Sequence, residues 1–148
     1  MREAHVLSGA SYDSSGIDLA PEFVDHARAT YPDATFERGD IDAIGERDGS
    51  LGGILAWFST IHHEPERIHV PLTEFARVLR PGGTLLLGYF DGAAIEPFDH
   101  AVVRAYRWPA GELSAALGAA GFDIVETHRR TERGHRDVGA LLAERRAS

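Results

Sequence analysis

The chain contains no cysteine, no lysine and no long apolar run, and each absence removes a class of function. Without cysteine there is neither a disulfide framework nor a thiolate metal site, and a cytoplasmic home is the simplest expectation. All 15 basic residues are arginine, so no lysine is present for Schiff-base chemistry. No stretch approaches the roughly 18 apolar residues of a membrane span, and no secretory signal is visible. Basic charge is in short supply. The net charge of −8 argues against a nucleic-acid backbone as partner, because such binding rests on basic surface. What remains is a globular composition, 43% hydrophobic and 26% charged, over 148 residues, enough for one domain with a real core.

The chain is organised around Gly16-Ile17-Asp18-Leu19-Ala20-Pro21. This reads as a strand end, an acid and a helix start, with Pro21 suited to a first helical position. Ligands of open α/β sheets bind beyond the carboxyl ends of the strands. A carboxylate there accepts both hydroxyls of a ribose, although a strand-end Asp before a helix is also a common cap. A second acid follows: residues 22–33 read as a helix with Phe23, Ala27 and Tyr31 as its apolar stripe, residues 34–37 as a short strand, and Gly39-Asp40-Ile41 comes next. Two acids at the ends of successive strands share one sheet edge, the layout of a nucleoside site.

Around this unit the pattern alternates. Residues 2–10 read as a short helix and Tyr12 to Asp18 as the first strand. Gly53 to Phe58 is an apolar run typical of a strand buried on both faces, emptying into the polar loop Ser59-Thr60-Ile61-His62-His63-Glu64-Pro65. Ile68, Leu72, Phe75, Ala76 and Leu79 form a helical stripe, which Arg80-Pro81-Gly82-Gly83 ends. Thr84 to Phe90 is a second buried strand. Residues 91–108 read as an irregular lid carrying Asp91, Glu96, His100, Tyr106 and Trp108. A helix opens at Pro109, and two strands, Phe122 to His128 and Asp137 to Glu144, close the chain. The expectation is a mostly parallel sheet with a terminal antiparallel hairpin.

Gly-Ile-Asp-Leu-Ala-Pro (16–21), Gly-Asp-Ile (39–41), Leu-Ala-Trp-Phe-Ser-Thr-Ile-His-His (55–63) and Leu-Arg-Pro-Gly-Gly (79–83) resemble the class I S-adenosylmethionine-dependent methyltransferases. The match is closest to small bacterial members acting on small molecules, and it extends over Tyr-Arg-Trp-Pro (106–109) and the closing hairpin. The resemblance implies a Rossmann-like α/β sandwich, S-adenosylmethionine as cofactor and a small-molecule methyl acceptor. It implies that Asp18 binds the ribose hydroxyls, that Leu19 lies against the adenine, and that Asp40 and the backbone of Ile41 take its polar edge. Ala56, Phe58 and Ser59 would line the methionine part.

The sequence also departs from the family. The glycine-rich loop ending the family's first, central strand is absent, so the expectation is a single, N-terminally truncated domain over 1–148 with its first strand missing. The flanking strands then pair directly, or a partner fills the gap, which leaves room for a homodimer, or the gene starts upstream. Gly52-Gly53 also stands where the family usually places an Asp.

His62 or His63 facing the transferred methyl would be a general base, against the plainer reading of a loop histidine. His100, beside Asp99 and Glu96, either binds or deprotonates substrate or belongs to a solvated turn. Adjacent histidines point in different directions, so no metal site is expected. Trp57 reads as core or cofactor wall, Tyr106 and Trp108 as pocket roof or loop anchor, and Arg129, Arg130, Arg133 and Arg136 as a solvated hairpin tip. Two rival functions stand beside methyl transfer. One is a nicotinamide-dependent oxidoreductase, which accounts for Asp18 but not Asp40 or the terminal hairpin. The other is a degenerate, non-catalytic module acting through a partner.

Overall fold

The computed structural model describes the strand segments 3–7, 14–18 and 35–38 and residues 41–100 and 103–147, with side chains from 41 to 99 and from 104 to 147. Nine strands form one sheet: β1 (Glu3–Leu7), β2 (Ser14–Asp18), β3 (Thr35–Arg38), β4 (Leu51–Trp57), β5 (Leu79–Asp91), β6 (Glu96–His100), β7 (Val103–Trp108), β8 (Phe122–Arg130) and β9 (Val138–Arg145). Two helices, α1 (His69–Val78) and α2 (Ala110–Ala120), and a 3-10 turn at Pro65–Arg67 are the helical elements among the described residues.

The helix expected over 2–10 is not found in its described part, residues 3–7. Residues 3–7 form a strand between β2 and β4, antiparallel to both, with His5 opposite Gly16 on one side and Leu55 on the other. The slot expected to be empty is therefore filled by this chain. Its direction follows from the six residues, 8–13, that link β1 to β2: a link that short joins antiparallel neighbours, whereas a parallel crossover needs a dozen residues or more. The sheet is consequently mixed rather than mostly parallel. β2 pairs with β3, β4 with β5 and β5 with β7 in parallel, and the other ladders are antiparallel. The α/β sandwich class expected from the sequence stands. The helix read over 22–33 lies outside the described residues.

The helices lie on one face. Leu72, Phe75 and Val78 of α1 and Leu113 and Leu117 of α2 pack into one cluster with Leu85, Leu87 and Tyr89 of β5. Each such side chain is almost fully buried and contributes about 1.5–3 kcal/mol relative to exposure. Gly121 ends α2 in the left-handed conformation, its N–H returning to the carbonyl of Gly118 at 3.2 Å. Below the sheet edge, Arg77 of α1 holds the loop before β4. Its guanidinium donates to the carboxylates of Glu74 (2.6 Å) and Asp48 (2.7 Å) and to the carbonyl of Ile44 (2.7 Å), while Glu74 accepts the Ile44 N–H at 2.8 Å.

The lid expected as irregular chain is a hairpin. β6 and β7 pair from Glu96↔Arg107 to His100↔Val103. β7 takes over from β4 beside the carboxyl end of β5, pairing with Phe90 and Asp91, and the Tyr106 N–H donates to the carbonyl of Ile61 at 2.9 Å. The hairpin is thus stitched to the sheet just beyond the end of β4.

Candidate functional site

β2 ends at Asp18, in register with Arg38 at the end of parallel β3. This is the carboxyl edge on which both acids were expected. Asp18 stands on it, whereas Leu19 and Asp40 lie outside the described residues. Ile41 opens the described loop and is buried. Because β1 runs the other way, its amino end, Glu3, reaches this same edge opposite Trp57. The carboxyl end of β1, Leu7, lies at the opposite edge, beside Gly53.

Beside β1, β4 carries the expected Ala56, and the expected Phe58 and Ser59 follow directly after its end. Ala56 is fully buried and faces the helices. Trp57, one residue on, points to the opposite face by strand alternation and is 41% exposed, so the core reading of this side chain is corrected. Its ring covers Gly88: a Cβ there would lie 2.7 Å from the ring. Phe58 has a left-handed φ of 56°, uncommon for an aromatic residue and worth about 1–3 kcal/mol of local strain. The Phe58 N–H donates to the Gly88 carbonyl at 3.1 Å, and its ring packs on Trp57 and Phe90 with centroids 5.2 and 5.0 Å away. This reversal turns Ser59 inward. Its Oγ is buried and has no hydrogen-bond partner among the described residues.

The two histidines of the following loop serve different partners. His62 Nδ1 lies 2.6 Å from the carbonyl oxygen of Arg104. A carbonyl can only accept, so the proton is on Nδ1 and Nε2 is the basic nitrogen. His63 Nε2 donates to Asp42 Oδ1 at 2.7 Å. The pair does not converge on one point. His100 closes β6 opposite Val103, and its side chain lies outside the described residues.

Beyond β5 the surface opens into two clefts that share His135 and Arg136. One, of about 290 Å³, has Phe90 and Val138 as its apolar wall. The other, of about 610 Å³, reaches Asp91, Glu96 and Arg107. The Phe98 ring of β6 carries two guanidiniums, Arg107 at 4.4 Å and Arg136 at 4.3 Å from its centroid. Arg136 is therefore docked rather than simply solvated, while Arg129, Arg130 and Arg133 are exposed as expected for a hairpin tip. Trp108 is buried in the main core and anchors the hairpin rather than roofing a pocket.

Asp91 is the site residue whose role the sequence reading left unassigned. It closes β5 as Asp18 closes β2, and that strand-end pattern, Leu86-Leu87-Gly88-Tyr89-Phe90-Asp91, was legible. Its side chain is 11% exposed, Oδ2 lies 3.8 Å from Arg129, and the buried Oδ1 has no partner among the described residues. The neighbouring Tyr89 hydroxyl is likewise buried and without such a partner. Burial pushes its pKa up, the Asp91 charge adds to that, and Arg129 opposes it.

A family model described as a methyltransferase domain matches residues 3–83. Over 81 residues the chain is 31% identical to the dTDP-3-amino-3,4,6-trideoxy-alpha-D-glucopyranose N,N-dimethyltransferase of Streptomyces venezuelae, covering 51% of this chain and 32% of that one. It is 37% identical over 70 residues to the 27-O-demethylrifamycin SV methyltransferase of Amycolatopsis mediterranei, covering 47% and 19%. The chain thus spans about a third or less of these relatives. Among solved structures it resembles the Burkholderia thailandensis 1,6-didemethyltoxoflavin-N1-methyltransferase, which was crystallised with S-adenosylhomocysteine. That match has a TM-score of 0.75 at 20% identity, over 89% of this chain and 60% of the other, and shows a shared fold.

Proposed function

Because this chain belongs to the methyltransferase-domain family, we propose that it binds S-adenosylmethionine at the carboxyl edge of its sheet and methylates a small molecule. In this reading residues 1–148 act as one domain, and the acceptors of the relatives, an amino sugar, a rifamycin and a toxoflavin precursor, suggest an acceptor of that size.

The observation that carries the reading is the Ser59 hydroxyl. A buried polar group without a partner costs about 1–3 kcal/mol, and a ligand group that donates to or accepts from it would remove that cost. It stands after a left-handed Phe58 on the same edge as Asp18, and strained backbone of this kind is concentrated at ligand sites. The residues present therefore fit the cofactor. Asp18 would accept from the ribose hydroxyls. Leu19, Asp40 and Ile41 would hold the adenine, and Ala56, Phe58 and Ser59 the methionine part.

When bound, the cofactor supplies an electrophilic methyl on a sulfonium. The work left to the chain is to align an acceptor with that methyl and to exclude water, and positioning alone lowers barriers substantially. Where the acceptor must lose a proton, we assign its removal to His62, whose Nδ1 donates to the Arg104 carbonyl. His100, at the end of the lid hairpin, is the second residue we assign to acceptor handling.

Replacing Ser59 by Ala tests this with a sign reversal. Removing an unsatisfied hydroxyl leaves the free protein as stable or more so, while a ligand group loses its partner. The expected result is an unchanged or raised melting temperature together with a weaker thermal shift by S-adenosylhomocysteine. An equal shift in both proteins would refute the assignment of Ser59.

A further inference from the structure

Among the described residues, the two clefts beyond β5 hold a guanidinium without a carboxylate partner, Arg136, and a carboxylate, Asp91, whose Oδ2 lies 3.8 Å from Arg129 while its Oδ1 has no hydrogen-bond partner. Arg107 is paired with Glu96 at 3.5 Å and Arg130 with Glu132 at 3.8 Å. Arg136 has no carboxylate within ion-pair distance among the described residues. It is held instead by the Phe98 face and by donation from Nη2 to the Asp99 carbonyl at 3.2 Å. A guanidinium fixed over an aromatic ring keeps its remaining N–H donors directed, which is how arginine presents a rigid fork to carboxylate or phosphate oxygens. Arg107 lies over the same ring, and both arginines line the larger cleft.

Opposite in chemistry is Asp91. One of its oxygens is buried and unmatched among the described residues, and the side chain lines the larger cleft. A carboxylate oxygen can only accept, so what completes it is a donor. The smaller cleft has an apolar wall of Phe90 and Val138, and the Phe90 ring touches both Phe58, just past the end of β4, and Phe98. The Phe90 wall of the smaller cleft is therefore in ring contact with Phe58, on the edge assigned to the cofactor.

We propose that these clefts form the acceptor pocket and select a small molecule that joins an anionic group, carboxylate or phosphate, to a hydroxyl or amino donor. Arg136, with Arg107, binds the anion, and Asp91 accepts from the donor. The assignment of the pocket to an acceptor rests on the methyltransferase reading, whereas the anion site itself does not.

Ligand-observed NMR titrations test this with probes of matched shape: 4-hydroxybenzoate, 4-hydroxyphenyl phosphate, the neutral 4-hydroxybenzamide, and benzoate, which lacks the donor. Wild type, Arg136→Gln and Asp91→Ala are compared, with melting curves verifying folding. S-adenosylhomocysteine is titrated calorimetrically into the same samples.

The wild type is expected to bind at least one hydroxy acid about tenfold tighter than 4-hydroxybenzamide. The better of the two acids tells carboxylate from phosphate. Arg136→Gln should erase the preference for the acid, and Asp91→Ala should bring 4-hydroxybenzoate down to the affinity of benzoate. Binding of neither acid, or an acid preference that survives Arg136→Gln, overturns the proposal. S-adenosylhomocysteine binding without an acid preference would overturn it and leave the methyltransferase reading standing. An acid preference without S-adenosylhomocysteine binding would uphold the anion site and remove that reading.

Discussion

His62 donates through Nδ1 to the carbonyl oxygen of Arg104 at 2.6 Å, tying the loop after β4 to the strand that roofs it. The same bond fixes the tautomer. His62→Asn keeps a donor near the Nδ1 position and removes the basic nitrogen. Stability should change by no more than about 1 kcal/mol, while turnover of an acceptor that must lose a proton falls about 100-fold. Turnover equal to wild type would reduce His62 to a tether.

Glu74 and Arg77 fasten α1 to the loop before β4. Hydrogen bonding from Arg77 holds the Glu74 carboxyl below its ordinary value of 4.5, against the opposing effect of burial. A depressed folded pKa means that this stability is present above the unfolded value near 4.5 and is lost as pH falls through the folded one. Glu74→Gln should cost about 2 kcal/mol at pH 7, the pair being partly exposed, and should flatten the acid limb of stability. Denaturant melts between pH 7 and pH 3 measure both, and an unchanged acid limb would contradict the linkage.

Tyr89 and Gly139 face each other across β5 and β9, and a Cβ on Gly139 would overlap the Tyr89 ring. Gly139→Ala should destabilise by about 1–3 kcal/mol. Tyr89→Phe should cost little, since it removes a buried hydroxyl with no partner among the described residues. The raised pKa of Tyr89 adds an alkaline signature. Its contribution is complete below the unfolded value near 10 and is lost as pH rises through the folded one, so Tyr89→Phe should resist alkali better than wild type. Melts above pH 9 compare them, and equal alkaline loss would count against this.

β1 is a central strand, with ladders to β2 and β4. His5→Pro removes a ladder donor there and should cost about 3 kcal/mol or more, roughly 6–12 °C in melting temperature for a domain of this size. An unchanged melting temperature would take residues 3–7 out of the sheet.

How far the sequence was legible follows the range of the forces involved. Strands β4 and β5 were readable because Ile54-Leu55-Ala56 and Leu85-Leu86-Leu87 are apolar over a whole element, and α1 because Leu72, Phe75 and Ala76 repeat at helical spacing. Residues 3–7 were misread because Ala4, Val6 and Leu7 fit either period, and only pairing with β2 and β4 decides between them. The β6–β7 hairpin was missed because Pro97, Asp99, Arg104 and Arg107 do not read as strand residues. Their pairing is fixed by β5 and by the stack of Arg107 on Phe98. In the candidate site, the strand-end acid Asp18 was visible as a local pattern. The left-handed Phe58, the orphaned Ser59 hydroxyl and the docking of Arg136 on Phe98 depend on contacts between distant segments and left no local trace.

The most direct test of cofactor binding is a calorimetric titration of the purified chain with S-adenosylhomocysteine, repeated on Asp18→Ala, with the fluorescence of the exposed Trp57 as a second readout. Wild type should bind in the micromolar range with a change in Trp57 emission, and Asp18→Ala should weaken binding by at least about tenfold, the loss expected for hydrogen bonds to a charged group. A folded wild-type chain that does not bind, or an Asp18→Ala variant that binds equally well, would contradict a nucleoside site on this edge.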